Sequence, residues 1–238
     1  MEMICPNDFY WLQKNNLLNK MKEYFLKSTC KPLQYPKTLV QNCQGLFFQN
    51  KKVKTLLFST DMAIIENIEA DAVLAVYPFS PSERIMKSII SFSNKPVICG
   101  VGGGLTKGKK SLDMAMAAEQ MGAAAVIVNQ PFLNKDIETI KRNISIPVIS
   151  SVSTAEFSFQ NRINSGVDIF HITGGQNTNQ IIQKIKHISP LFPIIATSGK
   201  TRESVKSSVQ SGVNAIVLTP PTNGELFKSI MNQYRNGK

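Results

Sequence analysis

The chain has 238 residues, of which 42% are hydrophobic, and a formal net charge of +11. This is enough apolar material for the core of one large domain, and no apolar run approaches the roughly 18 residues of a membrane span. We interpret the scattered lysines first as solvated helix faces and second as the source of an electrostatic field that attracts small anions. A nucleic-acid-binding surface is the third interpretation. The four cysteines form no Cys-X-X-Cys pair, and the N-terminus has no signal pattern. Both features predict a cytoplasmic protein with free thiols.

The first 53 residues differ in pattern from the rest of the chain. Asp8 to Lys27 has the spacing of one amphipathic helix, and Leu33 to Lys54 that of a short extended hairpin around Asn50. We expect residues 1–53 to form an N-terminal helix and a cap on the bottom of the following domain, residues 54–238. A partner-binding arm is the alternative.

Two phrases alternate along residues 54–238. One is a helix end followed by an apolar run, as in "IEADAVLAV", "QMGAAAVIV", "NSGVDIFHI" and "QSGVNAIVL". The other places a proline before an apolar run, as in "NKPVICG", "SIPVISS" and "LFPIIAT". Each recurs about every 45 residues, long enough for two βα units. The glycines suit left-handed helix ends, and the continuous apolar runs suit strands buried on both faces of a parallel sheet.

This alternation predicts eight strands, each followed by a helical segment. The predicted strands are Thr55–Ser59, Ala72–Tyr77, Val97–Val101, Ala124–Asn129, Val148–Val152, Ile169–Thr173, Ile194–Thr197 and Ala215–Thr219. Eight βα units in about 180 residues indicate a closed (β/α)8 TIM barrel; an open doubly wound sheet is the alternative. "SPSE" at Ser80 and "STAE" at Ser153 predict capping boxes at the starts of two helices.

The active site of such a barrel lies at the C-terminal ends of the strands, and few acid–base groups occur there. Asp61 is the one carboxylate, and it also suits the N-cap of the next helix. His171 is the one histidine near a strand end, and it also suits a buried structural position. We expect Asp61 or His171 to transfer protons. No residue set has metal-ligand spacing, so no metal is predicted.

Glycines and neutral polar residues dominate the same strand ends. "CGVGGGLTKGKKS" departs from the phosphate-binding P-loop because Lys110 replaces the required Ser or Thr. We therefore interpret it as the third βα loop and as an anion-binding lid, with a flexible solvated loop as the alternative. The predicted substrate-binding residues are Gly102, Gly103, Gly104, Lys107, Lys109, Asn129, Ser151, Thr173, Gly174, Gly175, Thr197, Ser198, Gly199 and Thr219.

Three stretches resemble a known family. "KTLLFSTDMAIIENIEADAVLAVYPFSP", "PVICGVGGGLTKGKKS" and "GVDIFHITGG" are similar to bacterial β/α-barrel proteins often labelled only "hydrolase" or uncharacterised. The resemblance covers about residues 35–222 and implies the barrel fold without naming a reaction. "ATSGKTRES" more distantly resembles the glycine turn of phosphate-binding and flavin-binding TIM barrels, and "HITGGQ" the nitronate-monooxygenase type. "IVLTPP" departs from their second phosphate turn, because Pro220 and Pro221 have no N–H to donate.

These patterns together predict an enzyme of lyase, isomerase or hydrolase type that acts on a small anionic or phosphorylated metabolite without a cofactor. The first alternative is an FMN-dependent oxidoreductase of nitronate-monooxygenase type, and the second is a non-catalytic metabolite-binding barrel. We expect no nucleic-acid or membrane partner, and a homo-oligomer remains open.

Overall fold

The computed structural model describes residues 37–198 and 201–235. Within these ranges the short strands β1 Leu46–Phe48 and β2 Lys51–Val53 precede eight parallel strands. The parallel strands are β3 Thr55–Phe58, β4 Ala72–Ala75, β5 Val97–Gly102, β6 Ala125–Val128, β7 Val148–Val152, β8 Ile169–Ile172, β9 Ile194–Thr197 and β10 Ala215–Leu218. They close into a barrel in the order β10-β3-β4-β5-β6-β7-β8-β9. The predicted (β/α)8 TIM barrel is confirmed, and each predicted strand end lies within two residues of the observed one.

A helix follows each barrel strand in the described ranges. The helices are α1 Met62–Asn67, α2 Glu83–Phe92, α3 Lys109–Gln120, α4 Asn134–Asn143, α5 Phe159–Asn164, α6 Thr178–Ile188, α7 Arg202–Gln210 and α8 Asn223–Arg235. Short 3-10 helices occur at Lys37–Leu39 and Gly175–Asn177. No helix of these ranges combines the length and the apolar content needed to cross a membrane.

The two predicted capping boxes are wrong. Helix α2 begins at Glu83 with Ser82 at the N-cap, because the Tyr77 hydroxyl accepts the Ser82 N–H at 2.8 Å. Helix α5 begins at Phe159, well after the predicted Ser153 cap. At α2 a contact made by the preceding loop accompanies the later start, and at both helices the Ser-to-Glu spacing does not set the first residue.

The sequence markers between the elements have the expected geometry. Gly122, Gly166 and Gly212 end helices with φ values of 91°, 94° and 84°, the left-handed region that glycine adopts without strain. Pro96 and Pro147 precede strands β5 and β7, and their carbonyls accept the N–H groups of Val73 and Val126 at 2.8 and 3.0 Å. Each proline thus begins a strand without leaving a ladder position unpaired.

Asp and Asn side chains join the strands at the N-terminal end of the barrel. Asp168 Oδ2 accepts the N–H of Val148 at 2.8 Å, and Asn214 Oδ1 accepts that of Ile194 at 2.9 Å. These residues precede β8 and β10, and each bonds the first residue of the neighbouring strand. Hydrogen bonds from side chains of the repeated sequence motifs therefore connect neighbouring strands at the N-terminal end of the barrel.

A hairpin closes this same end. Strands β1 Leu46–Phe48 and β2 Lys51–Val53 pair antiparallel across Gln49 and Asn50, both at positive φ as a two-residue turn requires. Phe48 and Val53 are buried with the barrel interior. The hairpin lies where the sequence predicts one. The predicted helix Asp8–Lys27 lies outside the described residues, and the division at residue 53 stays a prediction.

The core has two layers, as strand pleating requires. One layer fills the barrel with Leu56, Leu74, Ile98, Ile127, Ile149, Ile169, Ile195 and Val217. The other lies between the strands and the helices. Because side chains alternate along each strand, the residue two positions after each interior side chain also points inward, nearer the C-terminal end. This rule selects the residues of the candidate site.

Candidate functional site

Three neighbouring strands place polar side chains at the inner mouth of the barrel. Ser151 on β7, His171 on β8 and Thr197 on β9 each lie two residues beyond an interior isoleucine. The register sets Ser151 opposite His171. The pleat therefore brings side chains that are 20 and 26 residues apart in sequence to one point above the apolar core.

These three side chains form one hydrogen-bonded chain, here called the Ser–His–Thr array. Ser151 Oγ lies 2.9 Å from His171 Nδ1, and Thr197 Oγ1 lies 2.8 Å from His171 Nε2. His171 is only 4% exposed, whereas Ser151 and Thr197 are half-buried. The imidazole is thus held in place by two hydroxyls that face the mouth.

Burial lowers the pKa of His171 to about 4, so the ring is neutral near pH 7. A neutral imidazole has one N–H donor and one acceptor nitrogen. The hydroxyl that accepts from the ring N–H keeps its own proton free, and the hydroxyl that donates to the other nitrogen keeps its lone pairs free. The array therefore offers a ligand one donor and one acceptor, and the tautomer of His171 decides which residue supplies each.

A cavity of about 160 Å³ lies over strands β4 to β6 at the same end of the barrel, and its lining does not include the three residues of the array. Its lining is Val76, Tyr77, Pro78, Phe79, Pro81, Gly100, Gly102, Gly103, Gly104, Leu105, Thr106, Ile127 and Asn129. Most of these residues are apolar or glycine. Thr106 is 3% exposed, and its Oγ1 has no hydrogen-bond partner among the described residues. This buried hydroxyl is free to bond a polar group that enters the cavity.

The glycine loop, Gly102 to Lys110, forms one wall of this cavity. The β5–β6 register shifts between Gly100 and Gly102, so the strand bulges as it enters the loop. Gly103 N–H donates to the Thr106 carbonyl at 2.9 Å, and Gly108 N–H donates to Asp136 Oδ2 at 3.1 Å. The loop is therefore an ordered turn over the mouth, at the third βα position predicted from the sequence.

Glycine residues, which have no side chain, let this loop pack closely against its neighbours. A Cβ on Gly102 would lie 2.6 Å from both Phe132 and Ser111 Oγ, and a Cβ on Gly103 2.7 Å from the Asn129 amide. The structure thus brings Gly102, Gly103 and Asn129 together, and their substrate-binding role stays a prediction. Gly104 has open space around it and is exposed.

The two predicted loop lysines have different surroundings. Lys109 begins α3, and its Nζ lies 2.8 Å from Asp113 Oδ2, one turn further along the same helix. Lys107 is exposed within the loop. Neither lines the cavity in this conformation. Their predicted anion-binding role stays a prediction, and of the two only Lys109 is drawn along its helix by a carboxylate.

Asp61 caps helix α1. Its Oδ1 accepts the N–H groups of Ala63 and Ile64 at 2.9 and 3.2 Å, and its Oδ2 accepts from Asn223 Nδ2 at 2.5 Å. Both carboxylate oxygens are therefore engaged. Strands β9 and β10 separate β3 from β8, so the structure does not pair Asp61 with His171. The proton-transfer prediction for Asp61 remains open, and the array is the stronger candidate.

The remaining predicted residues follow β8, β9 and β10. Thr173 is exposed beyond β8; Gly174 packs so closely on Ile181 that a Cβ there would overlap it; and Gly175 has a φ of 57°. Ser198 is buried, and its Oγ has no hydrogen-bond partner in the part of the chain that the structure describes; Thr219 is half-buried. These side chains lie on the mouth side of their strands. Gly199 lies outside the described residues.

A second polar network joins the ends of β6 and β7 to helix α5, and the sequence analysis missed its arginine. Gln130 Oε1 accepts from the Ser153 N–H at 2.8 Å, and the Gln130 carbonyl accepts from Arg162 Nη2 at 2.9 Å. Arg162 is 3% exposed, stacks 5.0 Å above the Phe157 ring, and has its pKa lowered to about 10 by burial. Its position within a short polar helix gave no sequence signal of burial.

Tyr77, the last residue of the predicted second strand, is a further residue of the site. It lines the cavity, and burial is the main cause of its raised pKa. Its phenol is therefore neutral, and the hydroxyl that accepts from Ser82 keeps a proton to donate.

Comparison with solved structures supports the fold. The chain is similar to a phosphonopyruvate hydrolase bound to oxalate and Mg²⁺, with a TM-score of 0.62, 14% identity, and coverage of 78% of this chain and 83% of that one. It is similar to a phosphoenolpyruvate phosphomutase from Streptomyces platensis subsp. rosaceus with a TM-score of 0.57 and 14% identity, and the match covers 78% of this chain and 84% of that one. It is similar to the citrate synthase SbnG with a TM-score of 0.59 and 14% identity, and the match covers 78% of this chain and 93% of that one. At these identities the likeness shows the barrel fold alone.

No family model matches the chain, and no curated protein matches it either. The resemblance to barrel proteins therefore holds at the level of fold, and the "hydrolase" label finds only the loose support that one similar barrel is a hydrolase.

The mouth does not fit the ligands of a Mg²⁺ ion. Within residues 37–198 and 201–235, no group of three or more His, Cys, Asp or Glu side chains could hold a metal. Hydroxyl, imidazole and amide groups prevail where Mg²⁺ prefers carboxylates. The flavin alternative meets a similar mismatch, because Pro220 and Pro221 are buried after β10 and provide no backbone N–H for a phosphate.

Proposed function

We propose that the protein is an enzyme acting on a small anionic metabolite at the C-terminal end of the barrel. The observation that carries this proposal is the Ser–His–Thr array, an oriented donor and acceptor pair at the end of the barrel where the cavity over β4 to β6 also opens. The similar barrels are named for phosphonopyruvate, phosphoenolpyruvate and citrate, all of which carry carboxylates. The net charge of +11 attracts such anions to the protein.

The array suits proton transfer without charge build-up. As one hydroxyl gives its proton to the substrate, it takes the proton of the adjacent ring N–H. The other ring nitrogen takes a proton from the second hydroxyl, which in turn takes one from the substrate. One proton leaves the substrate and one arrives, and His171 ends as the other neutral tautomer. Because burial disfavours the imidazolium, this concerted relay fits the site better than a charged histidine does.

This chemistry favours an isomerase or a lyase over a hydrolase. Moving a proton between two substrate atoms needs only the array, whereas hydrolysis also needs a strong base to activate water. Asp61, the one carboxylate among the predicted site residues, is engaged at both oxygens. The engaged carboxylate also favours a second candidate, a non-catalytic metabolite-binding barrel.

Ligand-dependent thermal unfolding tests the binding half of the proposal, with pyruvate, oxalate and inorganic phosphate as probes. We expect at least one carboxylate probe to raise the midpoint temperature, because a ligand that binds only the folded state stabilises it. Thr197→Val removes one array hydroxyl at nearly constant shape and should abolish this rise. Thr139→Val is the matched control, since Thr139 is exposed on α4 and bonds only within its own helix. Equal rises in both variants would contradict the proposal.

Deuterium exchange tests the catalytic half. In D₂O the wild type should exchange the methyl protons of pyruvate, followed by NMR, and His171→Gln should lose this exchange while keeping its fold. Binding without exchange or turnover would favour the non-catalytic candidate. A flavin absorbance spectrum from the purified protein would instead favour the FMN-dependent oxidoreductase.

A further inference from the structure

The cavity over β4 to β6 has no charged side chain among the described residues that line it. Its polar side chains are those of Tyr77, Thr106 and Asn129. The Tyr77 hydroxyl already accepts the Ser82 N–H, and Thr106 is only 3% exposed. The apolar side chains of the lining are Val76, Pro78, Phe79, Pro81, Leu105 and Ile127. An ionised carboxylate would lose its hydration here without gaining a counter-ion, so the cavity favours an uncharged apolar group.

Two large apolar side chains of this lining are exposed to solvent. Phe79, which follows β4, is 75% exposed, and Leu105, in the glycine loop, is 78% exposed. An apolar group that enters the cavity removes part of both side chains from water, and this burial favours binding. The cavity therefore gains more free energy from an apolar occupant than from water or an ion.

The volume of the cavity corresponds to one small ring. It measures about 160 Å³, and an engineered apolar cavity of about 150 Å³ binds benzene. Gly100 contributes to this space, because a Cβ there would lie 3.3 Å from Val76 Cγ2. A phenyl ring or a branched chain of similar size therefore fits.

One strand spacing separates the cavity lining from the array. The register of β6 and β7 pairs Val128 with Ser150. The residues that follow them, Asn129 and Ser151, therefore lie side by side at the ends of these strands. Asn129 lines the cavity, and Ser151 belongs to the array. Adjacent strands lie about 4.8 Å apart, so a small molecule can contact both regions at once.

We propose that the substrate is a small carboxylic acid with an apolar substituent, about the size of a phenyl ring, and that this substituent occupies the cavity over β4 to β6. The placement of the carboxylate end rests on the proposed function, in which the Ser–His–Thr array binds the polar part of the ligand. The substituent then contacts Phe79 and Leu105. This narrows the substrate class from small anions in general to acids that carry one ring or one branched chain.

Calorimetric titration of the full chain with three matched probes tests this inference. Phenylpyruvate has both the carboxylate and the ring, pyruvate has only the carboxylate, and phenylacetone has only the ring. We expect the wild type to bind phenylpyruvate at least about tenfold more tightly than pyruvate, since one methylene in an apolar pocket can contribute that much. Phe79→Ala should reduce this ratio at least about threefold, because it removes apolar area from the lining. Phe47→Ala is the matched control and should preserve the ratio, because Phe47 is 70% exposed on β1, at the opposite end of the barrel.

The outcomes distinguish this inference from the proposed function. Equal affinities for pyruvate and phenylpyruvate, or a ratio that Phe79→Ala leaves unchanged, would overturn the apolar subsite and leave the proposed function standing. Binding of phenylacetone without binding of either acid would support the subsite and contradict the proposed function. Binding of none of the three probes would overturn both.

Two further measurements complete the test. If Phe79→Ala loses its fold by circular dichroism, Leu105→Ser provides the same test on the other exposed side chain of the lining. Light scattering identifies a competing occupant. A wild-type dimer that Phe79→Ala converts to a monomer, with the affinity ratio unchanged, would overturn the proposal and assign these side chains to an interface with a second copy of the chain.

Discussion

The two halves of the barrel mouth are built in different ways. Over β7 to β9, side chains make the site, since Ser151, His171 and Thr197 bond to one another across three strands. Over β4 to β6 the backbone makes it, since Gly102 and Gly103 allow close packing by having no side chain. The first half depends on protonation and hydrogen bonding, whereas the second depends on volume. Substitutions in the first half should therefore act through lost hydrogen bonds and altered protonation, and substitutions in the second half through steric overlap.

The largest expected effect is the pH dependence contributed by His171. Its pKa is about 4 in the folded protein and about 6.5 when unfolded, a difference equivalent to about 3 kcal/mol. Between these values the unfolded state binds more protons, so the stability is complete above pH 6.5 and falls as the pH drops towards 4. Urea unfolding at a series of pH values measures this loss.

The second histidine provides the control for that measurement. His171→Gln should flatten the stability profile between pH 6.5 and 4 relative to the wild type. His187→Gln, at an exposed position on α6, is the matched control variant for the loss of one histidine. Equal slopes in wild type and His171→Gln would show that the imidazole is not held neutral by burial.

The next largest effect is steric and belongs to the glycine half. Gly102→Ala places a Cβ 2.6 Å from Phe132 and Ser111 Oγ, and overpacking of this kind costs about 2 kcal/mol. Gly104→Ala, two residues along, meets no atom within 4 Å and should leave the free energy of unfolding nearly unchanged. Chemical denaturation of both variants measures the difference. A tolerated Gly102→Ala would mean that the loop can move away from Phe132.

Asp61 gives an intermediate effect that also separates its two roles. Asp61→Ala removes the N-cap of α1 and the bond from Asn223, and should cost about 1 kcal/mol. Asp61→Asn keeps an oxygen for the cap and should cost less. If Asp61 transfers protons, Asp61→Asn abolishes turnover at nearly full stability. If the array alone does so, turnover survives.

The fold was predictable because its markers are local. Prolines such as Pro147 mark the starts of strands, and glycines such as Gly166 mark the ends of helices. The continuous apolar runs that follow them identify buried parallel strands. The capping boxes were wrong because the start of α2 depends on Tyr77, a contact that a four-residue spacing does not contain.

The positions of the array residues at strand ends were predictable from the sequence, but the hydrogen bonds between them were not. Ser151, His171 and Thr197 were each expected at strand ends, but their bonding depends on strand register and on which face of the sheet each side chain occupies. A polar residue at a strand end can point inward or outward, and only the closed barrel decides this. Arg162 gave no signal at all, because charged residues on short helices are usually exposed.

The smallest expected effect concerns the lysines of the glycine loop. The Lys109–Asp113 pair is solvent-exposed, with 85% of the lysine side chain accessible, and such helical pairs contribute about 0.3 kcal/mol. Lys109→Ala should therefore change neither stability nor probe binding measurably. Lys107→Ala should weaken carboxylate binding in a titration at low salt and have little effect at high salt, since screening removes the contribution of an exposed charge. Equal losses in both variants would mean that Lys109 leaves Asp113 to reach the ligand, so that the loop closes over the mouth as a lid.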